Sequence, residues 1–214
     1  MPARLAILAS GRGSNLQAIL DAIHAGTLDA QVVGVFSDRP DAHALQRVPE
    51  ALRWTRRPKT FADRAAFDAA LADAIAAVAP DWVVCAGYMR ILGAEIVQRF
   101  ADRILNIHPS LLPRHKGLHT HQRALDAGDA EHGASVHFVN AELDGGAVIA
   151  QATVPVLPGD DADTLAARVL AVEHPLFLHV LQLAAAGRLR ACDGLPLIDG
   201  QRLFTPLSLQ FPAS

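Results

Sequence analysis

The sequence predicts a single α/β domain built on a mostly parallel, twisted β-sheet with helices on both faces. Continuous apolar runs, typical of strands buried on both faces, alternate with helical patterns over the first ~110 residues. The pattern then changes to two strand-like runs joined by a short loop, which predicts an antiparallel addition to the sheet. No repeat, low-complexity linker or clear boundary interrupts the chain, so one domain is the simplest interpretation.

The N-terminal half has the strand–helix alternation of a Rossmann-like sheet. Strands are predicted at 5–9, 32–36, 82–87 and 104–107. A helix after the first strand ends near Gly26, and further helices are predicted over 63–79 and 91–100. The segment 41–58 is the hardest to interpret. A helix over 42–48 is interrupted by Pro49, and a short strand over 52–55 is a guess.

The C-terminal half begins with strands predicted at 135–139 and 148–154 on either side of the loop 140–146. A helix over 161–173 is expected to end before Pro175, with a further helical turn or two reaching 186. Asp-Gly pairs at 193–194 and 199–200 mark turns, which predicts a small hairpin in the tail.

Composition narrows the class of protein. A net charge of −3 and a pI of about 6.3 argue against nucleic-acid binding through a basic face. The local cluster of Arg53, Arg56, Arg57 and Lys59 is interpreted as a solvated loop. No signal peptide and no apolar run of the ~20 residues that span a bilayer are found, which predicts no membrane partner. Cys85 and Cys192 are expected to be reduced thiols in a cytoplasmic protein.

The run Gly11-Arg12-Gly13-Ser14-Asn15 lies between the first strand and the first helix. Backbone N–H groups at such a helix start bind anions, and glycines let the anion approach the backbone. A dinucleotide fingerprint is the alternative, with Asp38 as the acid that binds the ribose, but Leu16 stands where that motif needs a small residue. We therefore expect a single phosphate, although glycines that only make a tight turn remain an alternative.

The polar pair Asn106 and His108 ends the strand predicted at 104–107 and precedes Pro109. Two residues apart in a strand, the two side chains point to the same side. An amide can stabilise an oxyanion while an imidazole moves a proton, so the pair suits chemistry at a carbonyl. A capped turn is the structural alternative. Asp144, on the Gly145-Gly146 turn, matters only if the fold brings it to His108, where it would favour the imidazolium.

Metal binding and serine-nucleophile chemistry are weaker alternatives. His115, His119 and His121 are close in sequence, but Gly117 argues against the helix that would align them, and no H-E-x-x-H motif is present. No G-x-S-x-G elbow occurs either. We therefore expect no metal.

The motifs G-R-G-S-N-L-Q-A-I, A-G-Y-M-R-I-L, L-N-I-H-P-S-L-L-P, G-L-H-T-H, G-A-S-V-H-F-V and L-D-G-G follow one another in this order. In these runs the chain resembles the phosphoribosylglycinamide formyltransferases, folate-dependent enzymes of purine biosynthesis. The N-x-H…S-L-L-P core is shared more widely among folate enzymes that transfer or hydrolyse formyl groups. The resemblance covers roughly positions 5–190 and is weak over 41–58 and after Gly194.

The resemblance implies transfer of a formyl group from 10-formyltetrahydrofolate, as co-substrate, to the amine of glycinamide ribonucleotide. It assigns catalysis to Asn106, His108 and Asp144. It also assigns the nucleotide phosphate to Gly11, Arg12, Gly13, Ser14 and Asn15, and the pteridine to the pocket formed by Met89, Arg90, Ile91, Leu92 and Asn106.

Two further positions follow from the resemblance alone. Arg64 matches an arginine that meets the glutamate end of the folate, and Glu173 matches a position near the ribose. Pro175 comes earlier than the proline of the family pattern, which puts the backbone at Glu173 in question.

The implied organisation is one formyltransferase domain over 1–214, with a phosphate-binding half over about 1–103, a folate and catalytic half over about 104–190, and a tail over 191–214. Small-molecule substrates and a monomer or homodimer are expected. A formyltetrahydrofolate hydrolase, a formyltransferase with another acceptor, and a non-catalytic dinucleotide-binding module remain as alternatives.

Overall fold

The computed structural model describes residues 1–192 and 194–211, which form two β-sheets and six α-helices. The strands are β1 (Ala3–Leu8), β2 (Ala30–Ser37), β3 (Arg53–Thr55), β4 (Trp82–Cys85), β5 (Ile104–His108), β6 (Glu131–Phe138), β7 (Val148–Pro155), β8 (Leu189–Cys192), β9 (Leu195–Ile198), β10 (Gln201–Arg202) and β11 (Leu207–Leu209). The helices are α1 (Ser14–His24), α2 (His43–Gln46), α3 (Arg64–Ala77), α4 (Ala94–Arg99), α5 (Thr120–Asp126) and α6 (Ala162–Ala185), with 3₁₀ turns at Glu50–Leu52 and Pro58–Thr60.

The larger sheet has the strand order β11-β7-β6-β5-β4-β1-β2-β3. Strands β3, β2, β1, β4 and β5 are mutually parallel, whereas β6 runs antiparallel to both β5 and β7. The predicted fold class, a mostly parallel sheet extended by antiparallel strands, is therefore confirmed. The short strand β3 confirms the guess over 52–55.

Helices cover both faces of this sheet, as predicted. Side chains alternate along β1, so Leu5 and Ile7 pack in one apolar cluster while Ala6 and Leu8 pack in the other. The first cluster contains apolar residues of α1, α2, α5 and α6, and the second contains those of α3 and α4. Two separate cores thus hold the strands from either side.

The strand order reverses between β1 and β4, and this reversal positions the site. In a doubly wound sheet, ligands bind in the crevice beyond the carboxyl ends of the strands at such a point. The chain leaves β1, β4 and β5 at this same edge, and the Ser10 N–H donates to the Gly87 carbonyl at 3.0 Å. The loops that follow the three strands are therefore neighbours.

Helix α6 is one continuous helix, not the two segments predicted on either side of Pro175. A proline inside a helix costs ~3 kcal/mol, because it removes one hydrogen bond and crowds the preceding turn. Leu165 and Val169 before the proline, and Leu176 and Phe177 after it, are buried. Burying each such side chain contributes ~1.5–3 kcal/mol, so packing on the sheet outweighs the local cost.

Helix α4 begins at Ala94, three residues later than predicted. Residues 91–93 have no regular secondary structure, and a Cβ on Gly93 would lie 2.3 Å from a carboxylate oxygen of Asp68 on α3. The close approach of α3 therefore requires glycine at the position where α4 starts.

The tail and the central loop contain elements that were not predicted. Helix α5 follows the histidine-rich loop, and β11 adds a parallel strand to the edge of the large sheet. Strands β8, β9 and β10 form a three-stranded antiparallel sheet in which Asp199 and Gly200 make the predicted turn. Of the other predicted turn, Asp193 lies outside the described residues.

Within the residues that the structure describes, α6 is the helix whose length and composition would suffice to cross a membrane. It packs against β6, β7 and β8 of the protein itself, with its apolar side chains in the first core cluster. Such a helix is the ordinary core helix of an α/β protein.

Candidate active site

Strand β5 places Asn106 and His108 on one side of the sheet, as its alternation predicts. Leu105 and Ile107 point into the core cluster of α6, so the two polar side chains point the other way. His108 is buried and Asn106 is half-buried. Both line a cavity of about 610 Å³ at the carboxyl edge of the sheet. This cavity is large enough for a small-molecule ligand.

The fold brings Asp144 to His108, which the sequence could not establish. Asp144 Oδ2 lies 3.5 Å from His108 Nδ1, with exposed side-chain fractions of 11% and 8%. The same oxygen accepts a hydrogen bond of 2.8 Å from the Gly117 N–H. Asp144 has a φ of 46°, a left-handed backbone that places the carboxylate toward the cavity. A buried carboxylate therefore faces the imidazole at close range.

His137, which the sequence analysis did not single out, is the cross-strand partner of Asn106 in the β5–β6 pair. Its Nδ1 lies 2.7 Å from the Phe138 carbonyl, which can only accept, so Nδ1 carries the proton. Burial lowers the pKa of His137, which favours the neutral ring. Its Nε2 is then free to accept the 3.0 Å hydrogen bond from Asn106 Nδ2. His137 thus sets which way the Asn106 amide faces.

The loop after β5 holds the other side of the His108 ring. His108 Nε2 donates to the His115 carbonyl at 3.1 Å, so an imidazolium satisfies both this carbonyl and Asp144. The His115 ring in turn lies 2.7 Å from Asp129. Ser135 anchors the loop by accepting from the Leu112 N–H at 3.0 Å. The ring is therefore fixed from both sides by packed, hydrogen-bonded elements.

The glycine run forms the start of α1, where first-turn N–H groups have no helical partner. Gly13 has a φ of 73°, and a Cβ there would lie 2.8 Å from Ala44 of α2. A Cβ on Gly11 would meet nothing within 4 Å. Gly13 is therefore required by its backbone and its neighbour, whereas Gly11 leaves open space beside Arg12. This arrangement is the strand–turn–helix form on which the prediction of a phosphate site rests, and that site stays a prediction.

Asn15 connects the glycine run to the cavity. Its Nδ2 donates to Glu173 Oε1 at 2.7 Å, and Glu173 lines the same cavity as Asn106. Burial raises the pKa of the Glu173 carboxyl, and the Asn15 hydrogen bond opposes that shift. Asn15 Oδ1 is buried without a hydrogen-bond partner among the described residues, so it can accept from a ligand hydroxyl. Pro175 leaves the backbone at Glu173 helical.

The residues expected around the pteridine form one wall of the cavity: Met89, Arg90, Ile91 and Leu92. The Met89 N–H donates to Ser10 Oγ at 3.0 Å, and Arg64 Nη2 donates to the Ile91 carbonyl at 2.7 Å. Arg64, which does not line the cavity, is therefore attached to its wall.

Two features argue against a dinucleotide site. Leu16 is fully buried in the core, and Asp38 accepts a 2.6 Å hydrogen bond from Ser10 instead of facing a ligand. Cys85, at the base of the cavity, is a poor nucleophile because burial raises its pKa to about 12.

Two of the remaining histidines, His121 and His132, pair with each other. His121 Nδ1 lies 3.2 Å from His132 Nε2, and burial, followed by the charge of His121, lowers the pKa of His132 to about 4. Over residues 1–192 and 194–211, no group of three or more His, Cys, Asp or Glu side chains is arranged to hold a metal ion.

A doubly wound α/β sheet with an amide, an imidazole and a carboxylate at its carboxyl edge has the groups that suit an enzyme acting at a carbonyl. The formyl transferase family model matches residues 3–181, and the chain belongs to this family. Phosphoribosylglycinamide formyltransferase of Escherichia coli (strain K12) is 49% identical over 201 residues, covering 93% of this chain and 95% of that protein.

Two other proteins extend the comparison. The trifunctional purine biosynthetic protein adenosine-3 of Drosophila melanogaster is 44% identical over 188 residues, which cover 86% of this chain and 14% of that protein. The solved phosphoribosylglycinamide formyltransferase of Coxiella burnetii has a TM-score of 0.91 and 42% identity, covering 99% of this chain and 100% of that one.

Proposed function

We propose that the protein transfers the formyl group of 10-formyltetrahydrofolate to the amine of N1-(5-phospho-D-ribosyl)glycinamide. The products are the N2-formyl nucleotide and tetrahydrofolate, in de novo purine biosynthesis. The observation that carries this proposal is the 49% identity to a phosphoribosylglycinamide formyltransferase over nearly the full length of both chains. The cavity at the carboxyl edge of the sheet, with Asn106, His108 and Asp144 in its wall, supplies groups suited to this chemistry.

The chemical step is a direct transfer. The neutral glycinamide amine attacks the formyl carbon, and the formyl oxygen becomes an oxyanion. The second N–H of Asn106 Nδ2, which His137 does not engage, donates to that oxyanion, and the positive charge of a protonated His108 stabilises it. The amine loses its proton as N10 of the folate gains one, and the C–N10 bond breaks. Preorganised donors of this kind typically contribute 10²–10³-fold each to kcat.

Asp144 acts on the histidine. Its carboxylate, 3.5 Å from Nδ1, stabilises the imidazolium and fixes the ring. The backbone hydrogen bond from Gly117 holds that carboxylate in place. The His108 ring therefore starts the reaction already oriented.

The two substrates occupy different parts of the site. The nucleotide phosphate binds the N–H groups at the start of α1, over Gly11 to Asn15, and the ribose hydroxyls meet Glu173 and the Asn15 oxygen. The folate pteridine binds between Met89–Leu92 and Asn106, and the glutamate end meets Arg64. A guanidinium suits a carboxylate at such a position.

We further propose that the protein acts in the cytoplasm, as a monomer or homodimer, on small-molecule substrates. The division of the domain into a phosphate-binding half over 1–103 and a catalytic half over 104–190 stays part of this proposal, with residues of both halves lining the cavity.

The test is an absorbance assay for tetrahydrofolate formation from 10-formyltetrahydrofolate, with and without glycinamide ribonucleotide. We expect turnover only with the nucleotide present, in a 1:1 ratio to formylated product. Formate release without nucleotide would instead identify a hydrolase. Turnover restored only by another amine would identify a different acceptor, and tight NADH binding without turnover would point to a dinucleotide-binding module.

A further inference from the structure

Ser10 lies where the ends of three strands meet. It follows β1 and immediately precedes the glycine run, and it is almost fully buried. Its N–H donates to the carbonyl of Gly87, beyond β4, and its hydroxyl contacts the buried carboxylate of Asp38, beyond β2. Ser10 is not among the residues that line the cavity. It therefore occupies the junction between the loops assigned to the two substrates, outside the cavity itself.

The Ser10 hydroxyl makes two hydrogen bonds of opposite direction. Its oxygen donates its one proton to Asp38 Oδ1 at 2.6 Å, and it accepts from the Met89 N–H at 3.0 Å. A carboxylate can only accept and a backbone N–H can only donate, so the two roles of the hydroxyl cannot be exchanged. Asp38 thereby turns a lone pair of Ser10 toward Met89. The result is a fixed link from the glycine run to the cavity wall formed by residues 89–92.

Each of the two loops also has attachments of its own. In the glycine run, the Arg12 carbonyl accepts a hydrogen bond of 3.0 Å from Arg47 Nε. In the cavity wall, the Ile91 carbonyl accepts one of 2.7 Å from Arg64 Nη2. Neither attachment passes through Ser10. Loss of the Ser10 hydroxyl would therefore leave each loop intact but let one loop move relative to the other.

Gly87 is the point about which the cavity wall can turn. Its φ is 80°, and a Cβ there would meet nothing within 4 Å. Glycine has the widest backbone freedom of any residue, so this position resists rotation least. The hydrogen bond from the Ser10 N–H to the Gly87 carbonyl is a backbone contact, which a Ser10 variant keeps. Without the hydroxyl, the displacement is therefore confined to the chain beyond Gly87, which begins with Tyr88 and Met89.

We propose that Ser10, oriented by Asp38, is a positioning residue that sets the spacing between the two bound substrates. The inference rests on the proposed function, which places the nucleotide phosphate on the glycine run and the folate pteridine on residues 89–92. An amine attacks a formyl carbon from about 3–3.5 Å, and a misplacement of about 1 Å costs on the order of 10²-fold in rate. The Ser10 hydroxyl holds this spacing because it ties the two loops to each other.

The first variant is Ser10→Ala, which removes the link. Its kcat should fall about 10- to 100-fold, because both substrates bind but stand at the wrong distance. The Kd values for glycinamide ribonucleotide and for tetrahydrofolate, each measured alone by calorimetry, should stay within about three-fold of wild type. Ser37→Ala is the matched control. The Ser37 and Ser10 side chains are equally buried, with 0% and 1% exposed, but the Ser37 hydroxyl accepts from the Arg39 N–H and does not reach the cavity wall.

Variants of Asp38 test the orientation of the hydroxyl. Asp38→Asn keeps an oxygen that accepts from Ser10, so its kcat should stay close to that of the wild type. Asp38→Ala removes the acceptor, and its kcat should fall about 2- to 10-fold, the ordinary contribution of one hydrogen bond. Since both residues act through one link, adding Asp38→Ala to Ser10→Ala should cause no further loss.

Met89 provides a readout that does not depend on catalysis. The sequence contains two methionines, Met1 and Met89. In protein expressed with Met1 at its amino terminus, the terminal amine protons exchange too fast to give an amide signal. Labelling with ¹⁵N-methionine therefore yields one amide signal, that of Met89. Hydrogen exchange at this amide should be at least about 10-fold faster in Ser10→Ala than in the wild type, and unchanged in Ser37→Ala.

An unchanged exchange rate at Met89 in Ser10→Ala would overturn the link itself. Faster exchange with kcat within about two-fold of wild type would overturn its role in positioning, and so would a loss of both affinities as large as the loss of kcat. Circular dichroism melting curves establish that each variant is folded, and Asp38→Ala gives the same comparison if Ser10→Ala does not fold. Absence of formyl transfer by the wild type would instead count against the proposed function, while the Met89 signal still reports on the link.

Discussion

Replacing His137 by leucine tests whether this buried ring orients the Asn106 amide, to which we assign a catalytic role. In the wild type, His137 Nε2 accepts the 3.0 Å hydrogen bond from Asn106 Nδ2. Leucine fills much of the space but accepts no hydrogen bond, so one Asn106 N–H would face an apolar side chain. Leaving a buried donor unpaired costs ~1–3 kcal/mol, which drives the amide out of its working orientation.

That penalty corresponds to a 5- to 150-fold smaller population of correctly oriented Asn106. We therefore expect kcat to fall by about that factor, which reaches only the lower end of the 10²–10³-fold expected for losing an oxyanion donor altogether. The KM for the nucleotide should stay within about three-fold. His137→Gln, whose amide oxygen can accept the same hydrogen bond, should lose less than His137→Leu. Saturating steady-state assays on the two folded variants make the comparison, and a His137→Leu enzyme with kcat near wild type would refute the reasoning.

Three further predictions follow from the geometry. Asp144→Asn removes the carboxylate from His108 but keeps an oxygen for the Gly117 N–H, so kcat should fall about 10- to 100-fold without loss of nucleotide binding; full activity would contradict this. Gly13→Ala should lower the free energy of unfolding by ~1–3 kcal/mol and raise the nucleotide KM, because φ is positive and α2 is too close. Gly11→Ala is the matched control for stability, and an equal loss in both variants would count against the steric argument. Burial lowers the pKa of His132 to about 4 in the folded protein. As the pH falls, the His132 ring therefore takes up a proton in the unfolded chain before it does so in the folded protein. The contribution of the neutral His132 ring to the free energy of unfolding is complete above about pH 6.5 and is lost as the pH falls toward 4. Between pH 7.5 and 5.0, urea titrations should show that the free energy of unfolding falls by about 2 kcal/mol more in the wild type than in His132→Asn. Equal decreases in the two proteins would contradict this role of His132.

Local periodicity was sufficient for the parts of the site that lie on one strand. The alternation along β5 predicts that Asn106 and His108 share a side, and the structure has them so. The partners of these residues come from other elements. His137 meets Asn106 through the register of two antiparallel strands, and Asp144 reaches His108 through a left-handed turn. A sequence shows neither, because both depend on how distant segments pair.

At helix α6, a local sequence rule gives the wrong prediction because tertiary packing outweighs it. The local rule that proline ends a helix is correct about the backbone cost at Pro175, but the buried side chains on both sides outweigh it. Glu173 and Arg64 entered the candidate site only through resemblance to a family. In the chain alone, Arg64 has the pattern of a helix-surface charge, and its attachment to the Ile91 carbonyl is a tertiary contact.

The most direct test of the account is a single-turnover measurement on His108→Ala with both substrates saturating. Rapid quenching would give the rate of formyl transfer, and calorimetry would give the affinity for glycinamide ribonucleotide. If His108 stabilises the oxyanion, the rate should fall by at least 10²-fold while nucleotide affinity stays within about three-fold. A transfer rate within a few-fold of wild type, with the nucleotide bound normally, would contradict the central role given to this histidine.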